Sequence, residues 1–382
     1  MTFDPSSVKA YDIRGIYPDQ IDAEGAYLLG RAWAAFLEPV KAAVGRDMRT
    51  MAPEIAEALI NGLCDSGVDV IDIGMVPTEV LYHAVASREL DGGIMVTASH
   101  NPKEYIGMKV VRRGAQPMGL DSGLDKVRDL ALKGDFPIVE TKGTVERVDI
   151  MPSFYDKVRS IVDTSKIRNL NIVVDAGNGI GGTAAMPLLE QLENVNIHAY
   201  NIEPDGTFPN HEPNPLLPEN RQFIIDRVIE HKADLGIAWD GDADRCFFID
   251  GTGEFVPGDF ITALLAEYEL RSHPGAKILY DVRASRAVAD KIEAAGGIAL
   301  RSRVGHAFIK QRMKREQAAF AGEVSGHYYF ADFHGVDTGM IPALIMLQLV
   351  SEAGVSLADL LVDMRAHYFL SGEINSTVDD VP

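Results

Sequence analysis

Cations, cysteine and long apolar runs are all scarce in this sequence, and each shortage removes a class of function. Lys and Arg number 36 against 56 Asp and Glu, a net charge of −20. A sequence-independent grip on nucleic acid or an anionic membrane is therefore not expected, and any anionic substrate has to be held by a local cationic pocket. The two cysteines, Cys64 and Cys246, cannot build a disulfide framework and have no nearby Cys or His partners for a zinc site, which fits a reducing, cytoplasmic setting. The longest apolar run, Met340 to Val350, contains Pro342 and Gln348 and is about half of the roughly 20 residues that span a membrane. The opening MTFDPSSVKAYDIRG carries acidic residues and no apolar core, so it does not read as a signal peptide.

What is present is the composition of a folded chain, with 46% hydrophobic and 24% charged residues, which excludes a disordered tail or a fibrous repeat. At roughly 150 residues per domain, 382 residues imply two to three domains. Helical spacing alternates with short β-branched runs, the pattern of α/β units around mostly parallel sheets. Thr50 is expected to cap a helix with the face Ile55, Leu59 and Leu63, stopped at Gly67. Ile224, Ile225, Val228 and Ile229 form another such face after Pro218. Strands are expected at 68–73, 93–96, 171–174, 235–238, 277–280 and 318–320. Turn-rich connections fall near 142–149, 250–258 and 368–376, whereas EPDGTFPNHEPNPLLP is too ordered in composition to be a linker.

Several strands run directly into a polar loop, where open α/β sheets bind ligands. In the first, Thr97-Ala98-Ser99-His100-Asn101-Pro102, a serine at a strand end can be a nucleophile or phosphate carrier. These six residues alone fit a helix cap or Asx-type turn more simply. In the second, Asp240-Gly241-Asp242-Ala243-Asp244-Arg245, alternate residues of an extended segment point the same way. Three carboxylates so placed can converge on one hard cation, while Arg245 and Gly251 at the sixth and twelfth positions exclude an EF-hand. In the third, Gly322-Glu323-Val324-Ser325-Gly326-His327, the polar groups again alternate and can meet sugar hydroxyls, although taken alone this is a surface turn. The run Gly177-Asn178-Gly179-Ile180-Gly181-Gly182 satisfies a dinucleotide-binding pattern, but Asp175 would face the pyrophosphate and close strand-to-helix packing explains the glycines equally.

Taken together, TASHNP, DGDADR and GEVSGH, in that order, resemble the phosphoserine, magnesium and sugar loops of the α-D-phosphohexomutase superfamily, most closely its bacterial phosphomannomutase/phosphoglucomutase branch. YDIRG, GRDMR, DGTFPNHEPNP and RVGHAFIK match as well, so the likeness covers essentially the whole chain. It implies three successive α/β modules with mixed, mostly parallel sheets around a central cleft, placed at 1–148, 149–250 and 251–367. It further implies a phosphorylated Ser99 that completes a Mg²⁺ shell with Asp240, Asp242 and Asp244. Arg14, Lys109 and Arg245 would stabilise the transferring group, with His306 nearby. Glu323, Ser325 and His327 would read the sugar, and Tyr11, Arg283 and Gly305 would bind substrate. His100, Asn101 and Lys310 are further candidates for which structural hydrogen bonding is an equal reading.

The implied reaction interconverts hexose 1- and 6-phosphates through a bisphosphorylated sugar, with mannose and glucose favoured because Val324 stands where phosphoglucosamine mutases tend to carry Gln. Arg283 stands where family members often have Lys. Family members also carry a fourth, smaller domain with a phosphate clamp. The sequence reaches Pro382 as SGEINSTV begins, so 368–382 is expected to be the start of a missing domain and turnover to be reduced. Two alternatives stay open. DGDAD is similar to the D-x-D loop of haloacid-dehalogenase-type phosphatases, although those usually want Thr or Val at Asp244. A sugar-phosphate binder without turnover is the other. The oligomeric state is not legible, with a monomer slightly favoured.

Overall fold

The computed structural model describes residues 3–370, and three sheets follow one another along them. The first contains β1 (Ile13–Ile16), β2 (Lys41–Arg46), β3 (Asp69–Met75), β4 (Gly92–Val96), β5 (Tyr105–Arg112), β6 (Gln116–Pro117) and β7 (Val145–Arg147), with helices α1 (Ala23–Leu37), α2 (Ala52–Cys64), α3 (Thr78–Ser87) and α4 (Leu124–Lys133). The second contains β8 (Leu170–Asp175), β9 (Val195–Tyr200), β10 (Leu235–Trp239), β11 (Cys246–Asp250) and β12 (Phe255–Val256), with α5 (Met151–Ile161), α6 (Gly181–Leu189) and α7 (Pro218–His231). The third contains β13 (Lys277–Asp281), β14 (Ile298–Ser302), β15 (Phe320–Gly322), β16 (Tyr328–Phe330) and β17 (Val336–Asp337), with α8 (Gly258–Ser272), α9 (Arg286–Ala294), α10 (His306–Glu316), α11 (Met340–Ala353) and α12 (Leu357–His367).

The strand orders are β1-β5-β4-β2-β3-β7, β12-β11-β10-β8-β9 and β14-β13-β15-β16-β17. Each sheet has a parallel block with antiparallel strands added at one edge. Each candidate loop occupies the same place in its sheet, joining the last parallel strand to its antiparallel neighbour. Residues 97–104 join β4 to β5, 240–245 join β10 to β11, and 323–327 join β15 to β16.

One apolar core runs through all three sheets. It includes Val80, Leu81 and Tyr82 of α3, Phe154 of α5, Trp239, Phe333 and Met340, all at most 1% exposed. Truncating one such aromatic to Ala costs about 3–5 kcal/mol, so this core holds the three loops in register. It also accounts for the longest apolar run, since Met340 to Val350 are all buried in α11. Among the described residues no single helix is long and apolar enough to cross a membrane.

Several local expectations change. Helix α2 begins after Met51 with Pro53 in its first turn and no side-chain cap, so Thr50 lies outside it. In α7 only Ile224 and Val228 are buried, and Ile229 is 52% exposed, because the helix covers its sheet with a narrow stripe. The strand expected at 318–320 begins only at Phe320. Strand β12 pairs with β11 and carries the second sheet past Asp250, into the stretch read as a connection. The expected start of a fourth domain lies, from residue 371 on, outside the described residues.

Candidate active site

Ser99 sits beyond the carboxyl end of β4, not as a helix cap but in a turn closed by the Thr97 side chain. No helix follows for it to cap, and its φ is +52°, the left-handed region that side chains rarely occupy. Such a backbone costs about 1–3 kcal/mol and persists only where its surroundings impose it. Its N–H donates to Thr97 Oγ1 at 2.9 Å and its Oγ donates to Asp240 Oδ2 at 2.7 Å, with His100 Nδ1 at 3.2 Å.

Asp240, Asp242 and Asp244 are at most 1% exposed, and each offers an oxygen within 4.8 Å of the others. Alternation along an extended segment is not what gathers them. The segment is a turn, closed by the Ala243 N–H on the Asp240 carbonyl at 3.0 Å, with Ala243 at φ +58°. Asp242 Oδ2 accepts from Thr78 Oγ1 at 2.5 Å, Lys109 Nζ at 2.7 Å and Thr97 Oγ1 at 3.2 Å. Lys109 also pairs with Asp244, and Arg245 Nε stands 3.6 Å from Asp240.

Burial, then Asp242 and Asp244, push Asp240 up to about 7. Burial would raise Asp244 too, but Lys109, His327 and Arg245 hold it well below the carboxylate range. Burial acts against the Lys109 ammonium, yet the three aspartates hold its pKa above the usual lysine value. Burial first, and neighbouring cations second, drive His100 and His306 well below the ordinary histidine value, so both are neutral near pH 7.

The residues fit a divalent cation. Asp242 Oδ1 and Asp244 Oδ1 are buried without a hydrogen-bond partner, beside a carboxylate pushed towards protonation by burial and then by its neighbours' charge. An all-oxygen set of this kind suits a hard ion.

Above this floor lies a cleft of about 400 Å³. Of the residues the sequence singled out, Tyr11, Arg14, His100, Lys109, Arg245, Arg283, Gly305, His306, Glu323, Ser325 and His327 line it. The third loop is a tight turn, with the Glu323 N–H on the His327 carbonyl at 2.9 Å. Glu323 accepts from the Gly305 N–H at 3.0 Å and the Tyr329 hydroxyl at 2.5 Å, so it also shapes the turn that presents His306. Ser325 Oγ lies 3.0 Å from His327 Nδ1, and Arg245 Nε donates to His327 Nε2 at 3.2 Å, tying the second loop to the third. Arg283 is paired with Asp281 at 3.0 Å.

Two candidates do not line the cleft. Lys310 is buried behind the cleft, 2.8 Å from Asp337 and 3.8 Å from the centre of the Tyr82 ring. Asn101 accepts from Arg14 at 2.6 Å and so steadies that guanidinium. Sequence reasoning missed Lys9 and Asp12, which line the cleft, and Thr78 and Thr97, which hold Asp242. For Asp12, which pairs with Arg14 at 2.7 Å, the signal was its place between Tyr11 and Arg14 in YDIRG.

The glycine run serves close strand-to-helix packing. Asp175 is satisfied by the Gly177 N–H, Asn201 and His211 at 2.9–3.0 Å. A Cβ on Gly182 would lie 2.3 Å from the Ile202 carbonyl oxygen, and one on Gly179 2.8 Å from that of Gly241.

Family models for phosphoglucomutase/phosphomannomutase α/β/α domains I, II and III match residues 5–137, 152–253 and 257–368. A phosphomannomutase from Salmonella montevideo is 45% identical over 96% of this chain and 82% of its own length. One from Vibrio cholerae is 44% identical over 97% of this chain and 82% of its own. Among solved structures, a phosphoglucomutase/phosphomannomutase family protein from Burkholderia thailandensis superposes with a TM-score of 0.89 at 34% identity, over 94% of this chain and 80% of that one.

Proposed function

The chain belongs to the phosphoglucomutase/phosphomannomutase family and is a phosphohexose mutase; we propose that it works through Ser99, on mannose or glucose phosphates. The observation that carries this reading is the fully buried Ser99 hydroxyl 2.7 Å from Asp240, next in the chain to His100, which lines the cleft with Arg14, Lys109 and Arg245.

In the resting enzyme Ser99 Oγ carries a phosphoryl group. A free hydroxyl of the bound hexose monophosphate attacks that phosphorus, its O–P bond forms as the Oγ–P bond breaks, and the hydroxyl proton leaves to a base. The product is a sugar bisphosphate. It turns around in the cleft and returns its other phosphoryl group to Ser99, so 1-phosphate becomes 6-phosphate with no water consumed. Such a transfer depends on positioning and on neutralising the equatorial oxygens. Arg14, Lys109 and Arg245 are the cations for this, Arg245 being oriented by His327. Glu323, Ser325 and His327 line the cleft where they can meet the sugar, and the neutral His306, which lines it with them, holds a ring nitrogen able to accept a hydroxyl proton. Asp240, Asp242 and Asp244 would hold Mg²⁺, which when bound supplies positive charge to the transferring oxygens.

Measured by intact mass, the purified chain should carry phosphate on Ser99. Ser99→Ala should lose it together with at least about a thousandfold of mutase turnover, the scale of removing a nucleophile. Unchanged turnover in Ser99→Ala would end the reading. A phosphatase that uses Asp240 as nucleophile is poorly supported, since that carboxylate accepts from both Ser99 and the Arg245 N–H.

A further inference from the structure

Arg49 is a charged side chain that the reaction leaves unused, although it is only 1% exposed. It lies in the turn between β2 and α2. One terminal nitrogen donates to the carbonyls of Pro102 at 2.7 Å and Tyr105 at 3.0 Å. The other donates to those of Ser99 at 2.9 Å and Asn101 at 2.6 Å. Nε stands 3.3 Å from Asp47 Oδ2. A guanidinium has five N–H groups in a rigid fork. Here four are spent on backbone carbonyls of the Ser99 segment and the fifth faces a buried carboxylate.

The geometry makes this more than a buried ion pair. The Ser99 and Asn101 carbonyls lie in a connection without regular secondary structure, and a buried carbonyl left unpaired there costs about 1–3 kcal/mol. Because the Ser99 carbonyl is among the four, the fork fixes the peptide plane that follows the residue at φ +52°. The other side of the fork is closed by the second sheet's long connection. The Phe208 ring centre lies 5.3 Å from the guanidinium carbon, and a Cβ on Gly206 would lie 2.6 Å from the Met48 carbonyl oxygen and 2.7 Å from Arg49 Cα. The stretch DGTFPNH, too ordered for a linker, thus presses on the turn that carries Arg49.

We propose that Arg49 is the positioning residue of the phosphoryl-carrying loop, clamped from behind by Gly206 and Phe208. It holds Ser99 at the left-handed backbone that aims Oγ at the acidic floor, and it touches neither substrate nor the transferring group. This rests on Ser99 being the phosphoryl carrier. Lysine keeps the charge but has three donors and no planar fork, so it cannot serve four carbonyls and Asp47 together.

The test uses the 382-residue chain and Arg49→Lys, with glucose 1,6-bisphosphate as donor and Ser99 phosphate followed by intact mass in rapid quench. The transfer rate and kcat should fall by at least about tenfold, while KM for mannose 1-phosphate stays within about threefold, as a misplaced group rather than a lost contact predicts. A folded Arg49→Lys whose rate falls less than this, or whose loss lies in KM, overturns the proposal. If Arg49→Lys does not fold, Phe208→Leu decides: all five donors remain and only the clamp loosens. Its transfer rate should drop by more than about twofold at unchanged KM, and a smaller drop overturns the proposal. A wild-type chain that takes no phosphate on Ser99 overturns the Ser99 reading itself, and this inference with it. A phosphorylated wild type with an indifferent Arg49→Lys overturns the inference alone.

Discussion

Two loops at the carboxyl ends of neighbouring parallel strands, β8 and β10, invite opposite readings from sequence and from structure. GNGIGG after β8 has the more familiar pattern, and DGDADR after β10 the less. In the structure the first is closed upon itself. Asp175 is saturated by Gly177, Asn201 and His211, Asn178 is bound to Asn210 and Glu203, and the Ile180 N–H donates to the Gly241 carbonyl at 2.9 Å. The second is open. Two of its carboxylate oxygens are buried without a hydrogen-bond partner, and Lys109 of the first sheet pairs with both Asp242 and Asp244. The glycines of the one make the bed on which the other lies, since Gly179 and Gly181 pack against Gly241, Trp239 and Ala243. A loop whose polar atoms are all satisfied supports structure. One that leaves buried oxygens unanswered points to a ligand.

The largest effect that tests this contrast is on turnover. Asp242→Asn should lower kcat by about a thousandfold or more, as loss of a group at the transferring charge does. EDTA should do the same to the wild-type chain, and Mg²⁺ should restore it. Asp175→Asn, one strand away, should leave kcat within about threefold and lose about 1–3 kcal/mol of stability, the scale of an unsatisfied buried partner. A steady-state assay and a urea titration on both variants decide it, and equal losses of kcat would erase the distinction.

Next in size is stability alone. Gly182→Ala puts a methyl group 2.3 Å from the Ile202 carbonyl, a backbone atom that cannot turn away. The expected loss is about 1–3 kcal/mol, the usual scale of overpacking, with KM unchanged. Calorimetry with NAD or ATP should show no binding to the wild-type chain, and a saturable heat would return the glycine run to its nucleotide reading.

Legibility in the sequence followed the same line. DGDADR was readable because its carboxylates sit close together in the chain, TASHNP and GEVSGH through the resemblance the three loops carry together, and strands β3, β4, β8, β10 and β13 because their β-branched runs stand between clear turns. Strand β2, KAAVGR, escaped because alanine and glycine carry little strand signal, and its place is set by packing between β3 and β4. Thr78 reaches Asp242 from 164 residues away, so no local pattern could announce it, while Thr97 and Arg49 stand in TASHNP and GRDMR but act on Asp242 and Ser99 from 145 and 50 residues away. The domain I–III matches agree with the order in which the loops were read. Lys310, for which structural hydrogen bonding was an equal reading, is separated from the cleft because a helix begins inside RVGHAFIK. His306 opens α10 at the cleft, and Lys310, one turn on, points into the core.

The smallest effect separates the closed loop from the open one by pH. Burial acts to lower the His211 pKa, but the hydrogen bond and charge of Asp175 at 2.9 Å outweigh it and the folded value is raised. A histidine whose folded pKa exceeds its unfolded value binds its proton more tightly when folded. The stability this contributes is full below the unfolded value of about 6.5 and is lost as pH rises through the folded value above it. The gap in unfolding free energy between wild type and Asp175→Asn should therefore be wider near pH 6 than near pH 9 (both about). It should narrow with a midpoint above that of free histidine, while the ratio of their kcat values stays flat over the same range. A gap independent of pH would mean that the Asp175 contact does not depend on the histidine's charge. The closed loop would then be held by its neutral hydrogen bonds and its glycine packing alone.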